Sequence, residues 1–161
     1  MFDTAYTEMI KERKMNTIPE IRLIRDDDEY KDILTVRNLV FVKEQNVPKD
    51  IEFDGLDKES VHVIAKLDKK TIGCARVRSI DGKLKLERIA VLKEYRSKGF
   101  GKRLMQYLIL YCEERNAEEI VIHAQYYLKR FYERLGFKPR GEAFLEAGIK
   151  HVEMYIKTPK T

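Results

Sequence analysis

The run Lys83-Leu84-Lys85-Leu86-Glu87-Arg88-Ile89-Ala90-Val91 passes through Leu92-Lys93-Glu94-Tyr95 into Arg96-Ser97-Lys98-Gly99-Phe100-Gly101-Lys102. Its first part alternates with the period of a strand. Its last part is a basic turn carrying two glycines. Immediately beyond, Leu104, Met105, Leu108, Ile109 and Cys112 recur at 3.6-residue spacing, the mark of an amphipathic helix. A strand that enters a helix through such a turn leaves unpaired amides at the positive end of the helix dipole. That arrangement binds anions. Arg96, Lys98, Lys102 and Arg103 add charge around it, and glycine lets an anion approach the backbone closely. A diphosphate is the natural occupant.

The pattern extends in both directions from this turn. Downstream, Asn116-Ala117 ends the helix, and Glu119–Gln125 reads as the next strand. Strand, helix and strand at this length imply a parallel pair with a right-handed crossover. Leu128, Phe131 and Leu135 then form the stripe of a short helix stopped by Gly136. The chain finishes as an antiparallel pair over 137–145 and 150–157. Upstream, 61–68 and 71–79 read as a hairpin joined by Lys69-Lys70, and Asp81-Gly82 turns the chain into the strand that ends at Val91. A first strand holds Ile21 and Leu23. The acids Asp26, Asp27, Asp28 and Glu29 suit a helix start, and Tyr30, Ile33, Leu34, Arg37 and Phe41 follow at helical spacing. Residues 46–60 are polar and acidic, a solvated loop closing one end of the sheet. The whole predicts an α/β (α+β) domain over 20–161. Its mixed, mostly antiparallel sheet has about seven strands around a central parallel β-α-β unit, with about four helices.

Composition narrows the function. The 161 residues suit one domain, with 43% hydrophobic and 37% charged residues, as in ordinary globular proteins. The net charge of +5 is interspersed with 27 acidic residues. It forms no basic block, and no aromatic stacking platform suggests nucleic-acid binding. Cys74 and Cys112 read as reduced core residues. No metal-ligand spacing is present, so no metal is expected. No apolar run is long enough for a membrane span and no signal peptide is visible, which predicts a cytoplasmic protein. Residues 1–19 read as an extension with apolar helical spacing at Phe2, Tyr6, Met9 and Ile10, and Met15 is an alternative start.

Three phosphate-binding turns can be compared with Arg96–Lys102. A P-loop needs Gly-Lys followed by Ser or Thr, whereas Arg103 follows here. A dinucleotide fingerprint needs a third glycine where Leu104 stands. The remaining pattern, Arg-x-x-Gly-x-Gly after a strand, resembles the pyrophosphate turn of the GNAT superfamily of acyl-coenzyme A N-acyltransferases. Phe131-Tyr132-Glu133-Arg134-Leu135-Gly136-Phe137 is similar to that superfamily's FYxxLGF segment. Arg37-Asn38-Leu39-Val40-Phe41-Val42-Lys43-Glu44-Gln45-Asn46-Val47-Pro48 resembles the RxxVFVxEQxVP stretch of a small bacterial subgroup. The three motifs stand in the same order and span nearly the whole chain.

The resemblance implies an N-acetyltransferase that moves an acetyl group from acetyl-coenzyme A to a primary amine of a small molecule by direct attack in a ternary complex. The enzyme would act as a monomer or homodimer, without metal, membrane or nucleic acid. It implies that Ile89, Ala90 and Val91 offer backbone groups to the pantetheine arm, and that Arg96, Ser97, Lys98, Gly99, Phe100, Gly101 and Lys102 hold the diphosphate. Tyr132 takes the position of the general acid. The base is His151, out of phase with Val152, Met154 and Ile156 on the last strand, or Glu87, whose alternative is a salt bridge. Arg37 and Gln125 would face the acceptor, although Arg37 could equally pair with Glu52 or Asp54. Where relatives carry arginines for an anionic acceptor, Glu87 and Gln125 stand instead, which favours a cationic or neutral amine. His62, His123 and Arg76 are further cavity candidates. The rival reading is a coenzyme-binding sensor without efficient catalysis.

Overall fold

In a computed structural model describing residues 4–8 and 18–159, the chain forms one seven-stranded sheet of order β1-β2-β3-β4-β5-β7-β6. The strands are β1 (Glu20–Leu23), β2 (Val61–Leu67), β3 (Lys70–Ile80), β4 (Lys83–Val91), β5 (Glu119–Gln125), β6 (Lys138–Glu146) and β7 (Ile149–Lys157). Every neighbouring pair is antiparallel except β4 and β5, the expected parallel unit. The helices are α1 (Asp27–Arg37), the short α2 (Lys49–Glu52), α3 (Phe100–Glu114) and α4 (Lys129–Arg134). Of the N-terminal extension, residues 4–8 are helical. Met15 and the apolar positions Phe2, Met9 and Ile10 lie outside the described residues.

The sheet is covered on both faces, as strand alternation requires. Val63, Ala75, Val77, Leu86, Ile120 and Ile122 pack with Leu104, Met105 and Leu108 of α3. The residues that alternate with them, Ile64, Cys74 and Ala90, meet Ile33 and Val36 of α1. Leu108 is fully buried, so truncating it to alanine should cost about 2–5 kcal/mol. At the start of α1, the Asp26 carboxylate accepts from the Glu29 amide at 2.9 Å. Glu29 itself accepts from Arg22 at 2.6 and 2.7 Å. Those bonds hold its carboxyl down to about 2.

Three local features depart from the periodic reading. Helix α1 does not continue regularly to Phe41; residues Asn38–Glu44 wind as a π-helix, with the Gln45 amide bonded five residues back to the Val40 carbonyl. The wider turn shifts the phase, so Val40 is buried while Phe41 is only partly so. The β2–β3 turn centres on Asp68-Lys69, both at positive φ (49° and 65°), one residue earlier than the sequence suggested. Such a pair of left-handed residues matches the twist of a tight hairpin. Finally, β4 carries a bulge: Arg76 faces Glu87 and Cys74 faces Ala90, so Ala75 spans both Arg88 and Ile89. Arg88 sits at φ 55°.

Candidate active site

The bulge begins a parting of the sheet. β4 and β5 pair only through Leu84–Leu86 and Ile120–Ile122. Beyond that point β4 stays with β3 and β5 stays with β7 through Gln125 and His151. The two strands separate, and the β5-facing edge of β4 from Glu87 to Val91 lacks a strand partner. A backbone edge of this kind accepts an extended ligand as it would another strand. The bulge also brings the Ala90 carbonyl close to Gly73, where a Cβ would meet that oxygen at 2.7 Å. Only glycine fits there, a requirement the sequence pattern did not flag.

The parted strands open into a cavity of about 830 Å³. At one end stands the basic turn. Ser97 and Gly99 both adopt left-handed backbone, at φ 63° and 82°, and α3 starts at Gly99 without a side-chain cap. The first-turn amides therefore remain available to an anion. Ser97, Gly99, Gly101 and Lys102 line the cavity together with Ile89, Ala90 and Val91. A Cβ at Gly101 would make only an ordinary 3.8 Å contact with Phe131, so the protein has room for a side chain there. Arg96 lines the cavity but is already bound. Its Nε donates to the Val91 carbonyl at 2.9 Å and its two terminal nitrogens bracket the Glu44 carboxylate. Lys98 and Phe100 do not line the cavity. The Lys98 ammonium sits over Tyr95 and the Phe100 ring is buried beside Ile72, so these two residues have only backbone to offer.

Tyr132 borders the cavity from α4, packed edge-on against Phe131 and Phe137. Burial pushes its phenol well above the ordinary tyrosine range, and no described residue hydrogen-bonds its hydroxyl. A phenol so placed stays protonated and can donate. His151 also lines the cavity, with Val152 and Met154 turned into the core. Its Nδ1 lies 2.6 Å from the Ile149 carbonyl. A carbonyl only accepts, so Nδ1 carries a proton, and Nε2, 3.7 Å from Glu146 Oε2, is the nitrogen left to take up or give a proton.

Residues 27–158 match the family model for the acetyltransferase (GNAT) domain. The chain belongs to the GNAT acetyltransferase family. It is 40% identical over 133 residues to the uncharacterized N-acetyltransferase YjcF of Bacillus subtilis, covering 82% of this chain and 95% of that protein. Among solved structures, an acyl-CoA N-acyltransferase from Pseudomonas aeruginosa superposes with a TM-score of 0.77 at 26% identity, over 85% of this chain and 98% of that one. A Bacillus subtilis acetyltransferase solved in complex with CoA shares the fold with a TM-score of 0.67 at 19% identity, over 88% and 99%.

Beside the β4 part of the cavity of this GNAT enzyme lies a network of buried charge. Arg37 and Arg76 are each 1% exposed, and burial at that depth demands counter-charges. Arg37 binds the Glu52 carboxylate at 3.0 Å and both Asp57 oxygens at 2.9 Å. Arg76 grips Asp54 through two 2.8 Å bonds and reaches Asp57 and Glu87. Of the two readings of Arg37, the geometry therefore gives the ion pair, with Glu52 as foreseen and Asp57 in place of Asp54. Neither Arg37, Arg76 nor His62 lines the cavity, whereas His123 and Gln125 do. Gln125 donates to Gln45 at 2.8 Å. The acids Glu52, Asp54 and Asp57 are thus anchors of loop 46–60 and not the solvated surface their composition suggested.

Glu87 lines the cavity with the same entanglement. Burial alone would raise its carboxyl, but Arg78, Arg76 and Lys85 outweigh burial and hold it down to about 2. A carboxylate that weakly basic is a poor proton acceptor at neutral pH. Its geometry is that of the salt bridge, the alternative that the sequence left open. Among the described residues no group of three or more His, Cys, Asp or Glu side chains could hold a metal ion, and no helix is long and apolar enough to cross a membrane. Cys74 and Cys112 are buried free thiols, each pushed up to about 12 by burial.

Proposed function

We propose that this enzyme acetylates a primary amine of a small molecule by direct attack on bound acetyl-coenzyme A in a ternary complex. The observation that carries the reading is the parted β4–β5 edge, which opens a cavity lined by an uncapped helix start and by the His151 imidazole. In this reading the β4 edge at Ile89–Val91 pairs with the pantetheine arm. The amides of Ser97, Gly99, Gly101 and Lys102 hold the diphosphate. Lys98 and Phe100 contribute main chain alone, and Arg96, tied to Glu44, braces the turn.

His151 Nε2 removes the ammonium proton and Tyr132 delivers a proton to the departing sulfur. Glu87 braces the site as an ion-pair partner. A small acceptor is favoured because the wall of loop 46–60 is clamped by Arg37, Arg76 and Arg88. An uncharged or cationic amine is favoured because Arg78 and Lys85, the cations beside Glu87, are already bound to it.

The test is thiol release from acetyl-coenzyme A across a panel of amines, read with His151→Ala and Tyr132→Phe variants. We expect turnover with at least one small amine and losses of roughly 10²–10⁴-fold in kcat for His151→Ala. Coenzyme binding without turnover on any amine would replace this reading with that of a sensor.

A further inference from the structure

His151 does not stand alone on its face of the sheet. Strand alternation places His123 and Gln125 of β5, His151 and Glu153 of β7, and Phe144 and Glu146 of β6 side by side, with His123 opposite Glu153 and Phe144 opposite His151. The Glu146 carboxylate reaches both imidazoles: Oε2 lies 3.7 Å from His151 Nε2, and Oε1 lies 3.1 Å from His123 Nδ1. His123 Nε2 continues to Glu153 at 3.5 Å, and Arg140 fixes the other Glu153 oxygen at 2.8 Å. The Phe144 ring is stacked with His151 and edge-on to His123. The Glu146 carboxylate therefore lies between the two imidazoles, hydrogen-bonded to His123 and 3.7 Å from His151.

Given His151 as the base, we infer that Glu146 and His123 form a proton path from His151 Nε2 to Glu153 and solvent. The reaction needs an exit. An ammonium and a thioester become an amide and a thiol with one proton left over. Of the two protons the nitrogen gives up, one ends on sulfur through Tyr132, and the other is taken by His151 Nε2. That proton passes along Glu146, which hands it on to His123 in the same movement and does not hold it, by a water or a small side-chain movement across the 3.7 Å gap. His123 accepts on Nδ1 and releases from Nε2 to Glu153.

Glu146 and His123 both line the cavity, and Glu153, at the far end of the path, is about one-third exposed to solvent. Other charges that face the path are Lys85 and Glu87 from β4 and Arg140 from β6. The two residues thus act through His151, as positioning and relay groups.

The experiment uses the full chain, the best amine from the panel and dilute, non-nucleophilic buffer. His123→Phe should lower kcat roughly 10- to 100-fold with KM for acetyl-coenzyme A unchanged, and added imidazole should restore kcat in that variant without affecting the wild type. Glu146→Gln, which preserves shape, should show the same kcat-specific loss. Wild-type kcat in both variants, or a His123→Phe loss that imidazole does not restore, overturns the relay. Full activity in His151→Ala overturns the base assignment instead, a result that is read separately.

Discussion

The two ends of the cavity are made of different materials. One, which we propose holds the coenzyme, is backbone: a strand edge freed by a bulge, left-handed residues at Ser97 and Gly99, and an uncapped helix start. The other, which we propose faces the acceptor, is side-chain charge: four arginines and a lysine knotted with Glu52, Asp54, Asp57 and Glu87. Backbone sites are specified locally, by which residues permit a conformation. Charge networks are specified only once distant segments meet. One end should therefore fail in binding when altered, and the other in catalysis or stability.

The sharpest break in that division comes from His151→Ala, which should remove roughly 10²–10⁴-fold of kcat while leaving coenzyme affinity intact; equal losses in coenzyme affinity would merge the two ends. Next in size is Arg76→Ala. Removing this buried guanidinium takes one partner each from Asp54, Asp57 and Glu87, and denaturant unfolding should show a loss of about 3–5 kcal/mol. A loss below about 1 kcal/mol would mean the network behaves like surface pairs.

The Glu87 carboxyl supplies a pH test. Because folding holds it down to about 2, its contribution is present in full above the ordinary carboxylate range near 4.5. It is lost as pH falls from there towards 2. Melting temperature against pH should drop over that window in the wild type and less steeply in Glu87→Gln. The smallest effect expected is from Gly73→Ala, whose Cβ presses on the Ala90 carbonyl. We expect about 1–3 kcal/mol of destabilisation, with the β4 edge displaced and coenzyme KM raised alongside.

The same division decides what could be read from sequence. The turn from Arg96 to Lys102, the α3 stripe, the parallel pair and the phase of His151 all follow from spacing over a few residues. So did the hairpins and the one crossover, although the place of β7 between β5 and β6 did not. The π-helical stretch at Asn38–Glu44 and the Arg88 bulge did not, because each inserts a residue into a regular pattern that its side chains satisfy either way. Nor could the acids of loop 46–60 be told from solvated ones, since their partners Arg37, Arg76 and Arg88 lie up to 36 residues away. Glu87 was legible as a cavity residue, but its three cations were not.

The central claim is that main-chain amides at the parted strands grip coenzyme A. Titration calorimetry with coenzyme A, comparing the wild type with Gly101→Val, tests it most directly. The account predicts a clear binding heat for the wild type, an affinity at least about tenfold weaker in the variant, about 1.4 kcal/mol, and matching melting temperatures. No heat from folded wild-type protein, or equal affinities in the two proteins, would contradict it.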